Sequence, residues 1–121
     1  MQFEHYSIVL LIHRADGPQL DDTQAADLQD AHMSFLADLH AAGHLLAAGP
    51  VDDAEIRGLS ILNVDPERAR DLKQQDPAVR AGVYSLRVIP WTVPGGAIHF
   101  SPAHFPRSMA EVLGQSPPGP R

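Results

Sequence analysis

The position of His32 points most directly to chemistry in this sequence. Residues 23–42 have the spacing of an amphipathic helix, with apolar side chains recurring every three or four positions at Leu28, Phe35 and Leu39. His32 falls in the same row, so its ring is predicted to be at least partly withdrawn from water. An unpaired buried polar group costs about 1–3 kcal/mol, so His32 needs a polar partner. That partner is either a backbone carbonyl, as for many core histidines, or a side chain with a function.

Asp76 is the candidate side-chain partner. An aspartate directly before Pro77, at the start of a helical turn, is typical of a helix N-cap. Capping does not exclude chemistry, because one carboxylate oxygen can hold a backbone amide while the other accepts from a histidine N–H. A carboxylate on one ring nitrogen fixes the tautomer, which leaves the other nitrogen to accept a proton. The pair His32 and Asp76 is therefore a candidate site for acid/base catalysis.

Other polar residues give weaker signals. Ser60 on the predicted third strand and His13 at the end of the first are candidate substrate contacts, but strand alternation leaves open which face is inward, and either could be a packing or edge residue. His40 and His44 have the spacing of helix-borne metal ligands, but Gly43 is predicted to end the helix between them. We therefore predict no metal site and interpret the histidines other than His32 as solvated surface residues.

Composition limits the classes of function. A chain of 121 residues with 44% apolar content can form one core, which predicts a single compact domain. The net charge of −6 and the lack of a basic run argue against binding to nucleic acid or an anionic membrane. The absence of cysteine excludes disulfides, thiolate nucleophiles and sulfur-ligated zinc, and suits a cytoplasmic protein. The apolar run 8–12 is too short for an export signal or a membrane span, so we expect neither.

The elements that must position these residues follow from hydrophobic patterning and turn signals. We predict a strand over 3–13, a helix over 23–42, strands over 45–51 and 58–64, a helix from 66 to about 75, one further turn at 78–80 and a strand over 83–89. This order is the ferredoxin-like βαββαβ arrangement, an α+β fold with an antiparallel sheet and helices on one face. Because the first strand is apolar on both sides, the other face is expected to be covered by a second copy in a homodimer.

The composition changes beyond Trp91, where proline and glycine become frequent. We predict one domain over 1–94 and a proline-rich extension over 95–121. Within that extension, Ser108 and Glu111 have the spacing of a capping box and predict one short helix. Trp91 is predicted to be an apolar plug that anchors the extension, and residues 115–121 are predicted to be loose.

The ordered motifs of this chain resemble the YciI-like (YCII-related) family over about residues 3–94. The resemblance is carried by His32 followed by the segments Ala42-Gly43, Leu45-Leu46-Ala47-Ala48-Gly49-Pro50, Asp76-Pro77-Ala78-Val79, Ala81-Gly82-Val83-Tyr84 and Val88-Ile89-Pro90-Trp91. It implies a ferredoxin-like subunit that forms a dimeric α+β barrel, with a histidine–aspartate active site that falls on His32 and Asp76. It also implies acidic phenols, quinols or lactones as ligands. The chain departs from the family in a longer first connection and in the extension after Pro94.

Three functional hypotheses follow. The first is a small enzyme that needs no cofactor, in which His32 and Asp76 catalyse elimination or isomerisation of a phenol-like or quinol-like metabolite. The second is a non-catalytic module that binds a small molecule in the same pocket. The third is a cofactor-free monooxygenase, as in more distant relatives that share the barrel. Turnover of a ligand distinguishes the first from the second, and oxygen uptake would favour the third.

Overall fold

The computed structural model describes residues 1–114, and the predicted looseness of residues 115–121 falls outside this range. Its elements are β1 (Phe3–His13), α1 (Asp22–Ala41), β2 (Leu45–Pro50), β3 (Ile56–Leu62), α2 (Pro66–Lys73), α3 (Pro77–Arg80), β4 (Tyr84–Pro94) and α4 (Met109–Val112). Within the described residues, no helix is both long and apolar enough to cross a membrane.

The four strands form one antiparallel sheet in the order β2-β3-β1-β4. The prediction of a ferredoxin-like α+β fold is confirmed. Several strand boundaries differ from the prediction by one or two residues, and the end of β4 differs by more. Strand β3 begins at Ile56 rather than Gly58, and β4 continues past Ile89 to Pro94, because it pairs with the whole of β1 so that Phe3 lies opposite Pro94.

The main core lies between one face of the sheet and the helices. Val9, Leu45 and Leu62 have no exposed surface, and they pack with Leu39 from α1 and Ala69 from α2. Strand alternation then places Ser60 and Val88, which pair with Val9, on this same helix-covered face. Side chains from the inward face of β3 therefore point toward α1 and α2.

The opposite face of the sheet is apolar at its centre. Ile8 on β1 lies directly opposite both Ile61 on β3 and Ile89 on β4, and all three keep part of their surface exposed. Leu10 and Leu59 form the next pair along the same face. Among the described residues no helix covers this row, so it is the face on which a second copy was expected.

Residues 95–114, here called the C-terminal strap, return from β4 across α1. The backbone N–H of Gly96 donates to Glu4, and the N–H of Met109 donates to Asp30 of α1 over 2.9 Å. The predicted short helix is present as α4, where the Ser108 hydroxyl caps the N–H of Glu111. The strap is thus packed against the domain over much of its length.

Two predictions are wrong, one for Trp91 and one for His40. Trp91 lies within β4 and is 38% exposed, so it is not the buried apolar plug that was predicted to anchor the strap. The interpretation of His40 as a solvated surface residue also fails, because its side chain is buried and stacks between the rings of Phe100 and Phe105, at centroid distances of 4.9 and 4.3 Å. A histidine of α1, rather than the tryptophan, holds the strap.

Candidate active site

His32 and Asp76 are in contact although they are 44 positions apart in the chain. The ring atom Nδ1 of His32 lies 2.7 Å from Oδ2 of Asp76. The His32 side chain is 12% exposed and the Asp76 side chain is fully buried. The contact forms because α1, which carries His32, packs against α3, which Asp76 begins. The expected partnership between the two residues is confirmed, while their catalytic role stays a prediction.

Asp76 also caps α3. Its second oxygen, Oδ1, accepts the backbone N–H of Ala78 over 2.9 Å, and Pro77 occupies the first helical position, where its missing N–H costs nothing. An ionised carboxylate only accepts hydrogen bonds, so His32 must donate its Nδ1–H to Asp76. In neutral His32, Nε2 therefore carries a lone pair, and within residues 1–114 it has no hydrogen-bond partner.

His32 forms part of the wall of a cavity of about 460 Å³, a size typical of small-molecule sites. The cavity lies between α1, the inward face of the sheet and the C-terminal strap. Its wall is mostly apolar, with a few polar groups that could orient a ligand. The lining residues are Leu11, Gln29, His32, Met33, Leu36, Ala48, Gly49, Pro50, Arg57, Gly58, Leu59, Ser60, Tyr84, Phe105, Pro106, Met109 and Val112.

The two predicted substrate contacts differ in position. Ser60 lies on the helix-covered face of β3, lines the cavity and is almost completely buried. His13 ends β1 as an exposed residue opposite Tyr84 and is not among the residues that form the cavity wall. The structure therefore brings His32, Asp76 and Ser60 together and leaves His13 outside this group. A role for either residue in ligand binding stays a prediction.

Lys73 also lies beside these residues, although no sequence pattern predicted it as part of the site. It ends α2 with no exposed surface, and its Nζ donates to Oγ of Ser60 over 3.1 Å and lies 4.0 Å from Oδ2 of Asp76. Burial disfavours the charged ammonium and lowers the pKa of Lys73 from 10.5 to about 8, although Asp76 partly opposes this shift. Lys73 follows Ala69 by one helical turn and so shares its face, but the sequence does not indicate that this face of α2 is buried.

The strap contributes the outer wall of the cavity, which the sequence did not indicate. Phe105, Pro106, Met109 and Val112 line the space above His32. Arg57 adds the only permanently charged side chain to the lining found within residues 1–114. The site therefore combines an apolar enclosure with one cation at its edge.

No metal centre is evident in the described part of the chain, where no three His, Cys, Asp or Glu side chains are grouped closely enough to hold an ion. His40, one of the two histidines considered for metal binding, has other partners. Nδ1 of His40 donates to the carbonyl of Leu45 over 2.6 Å, and Nε2 accepts the N–H of Ala103 over 3.0 Å. Both ring nitrogens of His40 are thus used in holding the fold together.

The sequence matches the YCII-related domain over residues 8–92. No sequence among the curated proteins matches the chain. Among solved structures, the fold is similar to that of 5-chloro-2-hydroxyhydroquinone dehydrochlorinase (TftG) from Burkholderia phenoliruptrix AC1100, in complex with 2,5-dihydroxybenzoquinone. The TM-score is 0.54 at 18% sequence identity, and the match covers 71% of this chain and 92% of that chain. At this identity the likeness establishes a shared fold. Because the matched domain extends over most of its length, the chain belongs to the YCII-related family.

Proposed function

We propose that the protein is a small enzyme that needs no cofactor and uses His32 and Asp76 for acid/base chemistry on a phenol-like or quinol-like metabolite. The observation that carries this proposal is the 2.7 Å contact between His32 Nδ1 and Asp76 Oδ2 at the wall of a ligand-sized cavity. It leaves Nε2 of His32 as the proton acceptor for a bound molecule. The dehydrochlorinase that shares the fold provides a chemical precedent for such a substrate.

The proposed reaction begins when Nε2 of His32 removes a proton from a ring hydroxyl or an acidic carbon. The buried Asp76 carboxylate stabilises the imidazolium that forms. The electron pair left on the substrate moves into the ring, and a leaving group departs with its own bonding pair, or the proton returns at another carbon. Elimination thus removes one proton and one anion, and isomerisation removes nothing. Neither reaction needs an oxidant or reductant.

The cavity favours a flat, acidic molecule. Its wall is largely apolar, with Leu36, Met33 and Phe105 among the larger side chains, and this environment suits an aromatic ring. Arg57 at the cavity edge attracts a negatively charged ligand. Phenols and quinols with low proton affinity match both features, because they combine a ring with a hydroxyl that ionises readily.

We further propose that the working form is a homodimer. The apolar row of Ile8, Ile61 and Ile89 lies on the sheet face away from the helices, and a second copy of the same face would cover it. In a dimeric α+β barrel, two such sheets pack face to face. The helix-side cavity with His32 would remain accessible in that arrangement.

The test of catalysis compares His32→Ala and Asp76→Asn with wild type on chlorinated and unsubstituted hydroxyhydroquinones. Absorbance and released chloride are the measured quantities. His32→Ala should lower kcat by about 10²–10⁴-fold, the usual contribution of a general base. Asp76→Asn keeps an oxygen to cap α3, so the variant should remain folded. It cannot stabilise an imidazolium, so its kcat should be lower than that of wild type by about a hundredfold or more.

His99→Ala is the matched control, because it removes an exposed histidine that is outside the cavity wall and has no predicted role in the site. It is expected to keep wild-type turnover. If wild type and His32→Ala bind the compounds equally well and neither consumes them, the protein is a binding module and the catalytic proposal is wrong. Oxygen uptake during turnover would instead favour a monooxygenase.

A further inference from the structure

The proposed reaction does not use Lys73, which is the largest fully buried side chain in the described residues. Lysine is almost never completely buried unless it is paired. Here the ammonium lies in the layer between α2 and the sheet, with Ser60 Oγ at 3.1 Å, Asp76 Oδ2 at 4.0 Å and the ring of Phe35 at 6.0 Å from its centre. The charge therefore contacts both the cavity wall and the His32–Asp76 pair.

The contact with Lys73 determines how Ser60 can bond. A protonated lysine has three donors and no acceptor, so in the 3.1 Å contact Ser60 Oγ must be the acceptor. The hydroxyl proton of Ser60 is then free to point elsewhere. Within residues 1–114, Lys73 is the hydrogen-bond partner of Ser60 Oγ, and Ser60 lines the cavity. A donor hydroxyl, polarised by the ammonium behind it, is thus available to a bound molecule.

The pKa of Lys73 is about 8, so its amine is mostly protonated at neutral pH and can donate to Ser60. Three ionisable groups meet at the position: Lys73 from α2, Asp76 at the start of α3 and His32 from α1 through its bond to Asp76. Nζ of Lys73 lies closer to Ser60 Oγ, at 3.1 Å, than to Asp76 Oδ2, at 4.0 Å, so the ammonium is the charge that acts most directly on the Ser60 hydroxyl.

We propose that Ser60 and Lys73 form an oxyanion-binding site in the cavity, in which Ser60 donates its hydroxyl proton to an ionised oxygen of the ligand and Lys73 is the positioning residue that orients and polarises Ser60. This inference rests on the proposed function for its role in catalysis. The ligand class is then phenolates and enolates. As His32 takes a proton, negative charge develops on the substrate oxygen, and Ser60 stabilises it.

The test measures binding of a charged and a neutral probe of nearly the same shape, 4-nitrophenolate and 4-nitrotoluene, by calorimetry at pH 7.5. Visible absorbance reports that the bound nitrophenol is ionised. Wild type should prefer the anion. Ser60→Ala and Lys73→Met should each lower affinity for 4-nitrophenolate by about tenfold or more and leave that for 4-nitrotoluene unchanged. A purely structural role would lower both affinities together.

The double variant separates a joint site from two independent effects. If Lys73 acts through Ser60, the variant that carries both Ser60→Ala and Lys73→Met should bind 4-nitrophenolate no more weakly than the single variant with the lower affinity. Ser85→Ala, an exposed serine of β4, is the matched control and should behave as wild type. Circular dichroism checks that each variant is folded, and Ser60→Ala alone tests the anion contact if Lys73→Met does not fold.

The proposal is overturned if wild type shows no preference for the anion, if Ser60→Ala keeps that preference, or if the two substitutions are additive. These outcomes are independent of turnover, because neither probe needs to react. Anion binding that depends on Ser60 and Lys73, together with no consumption of any hydroxyhydroquinone, would refute the enzymatic proposal and leave the oxyanion-binding site in place.

Discussion

At the scale of single residues, Asp76 shows how a structural signal and a chemical one can coincide. One oxygen of the carboxylate caps α3 and the other accepts from His32. Because both acceptor positions have partners and the group is fully buried, replacing Asp76 with an apolar residue would leave the Ala78 N–H and the His32 N–H unpaired at a cost of about 1–3 kcal/mol each. The same requirement that holds the helix start in place thus fixes the orientation of the His32 ring.

The stability of the protein should depend on Lys73 in a way that can be measured. Its pKa is about 8 in the folded protein and 10.5 in an exposed chain, so between these pH values the folded state binds fewer protons than the unfolded state. Stability attributable to this residue therefore rises as pH increases across that window. Below pH 8 the buried charge costs up to about 3 kcal/mol, and above pH 10.5 this cost has disappeared.

Lys73→Met keeps the apolar stem and removes the charge. Its free energy of unfolding, measured in urea at intervals from pH 7 to 10.5, should exceed that of wild type by an amount that shrinks steadily above pH 8. If the difference in unfolding free energy between Lys73→Met and wild type disappears between pH 8 and pH 10.5, Lys73 is the group that titrates. A constant gap across the range would mean that the ammonium is not held in a low-dielectric environment.

The sequence predicted His32 and Asp76 because each residue broke or completed a local pattern. His32 occupied an apolar position of a helix, and Asp76 preceded a proline at a helix start. Lys73 gave no comparable signal, since α2 is a short, strongly charged helix in which lysine is ordinarily solvated. Only the tertiary packing of α2 against the sheet decides that the face with Ala69 and Lys73 is the inner one.

At the scale of elements, the C-terminal strap packs on a buried side chain of α1, His40. His40 donates to the carbonyl of Leu45 and accepts from Ala103, and its ring lies between Phe100 and Phe105. Arg107 adds contacts with Ser34 and Asp38 that are exposed to solvent and therefore contribute little. The docking of the strap, and with it the outer wall of the cavity, depends mainly on the buried imidazole.

His40→Ala should release the strap. Loss of the stacked ring, of a buried hydrogen bond to Leu45 and of a partly buried one from Ala103 is expected to lower the free energy of unfolding by about 2 kcal/mol or more. Trypsin should then cut after Arg107 faster than in wild type, because the segment around it leaves the surface of α1. His99→Ala, which removes an exposed histidine from the same strap, is the control. Equal cleavage rates in all three proteins would show that His40 does not anchor the strap.

The strap also marks where sequence patterns stop being informative. Alternating and helical periodicities gave the order of the strands and helices of the domain, and the capping pair Ser108 and Glu111 gave α4. Phe100 and Phe105 lie in a proline-rich segment without periodicity, so nothing local indicates what they contact. The same ambiguity affected Ser60, because its inward orientation depends on the pairing of β3 with β1 at Val9.

At the scale of the whole molecule, the sheet has two apolar faces and helices on only one of them. The core face packs on Val9, whereas the other presents Ile8, Ile61 and Ile89 side by side across three strands. A contiguous apolar row of this kind costs free energy in water and is typical of an interface. Self-association through a two-fold axis would bury the row on both copies at once.

Ile61→Lys tests this arrangement, because it places a charge at the centre of the row while the side chain can still extend into solvent in an isolated chain. Wild type is expected to sediment as a dimer and Ile61→Lys as a folded monomer, since a lysine facing its own copy would be desolvated beside a like charge. Ala26→Lys, on the exposed side of α1, is the control and should remain dimeric. If Ile61→Lys sediments with the wild-type dimer, the interface lies elsewhere, and a monomeric wild type would mean that the sheet face stays exposed to solvent.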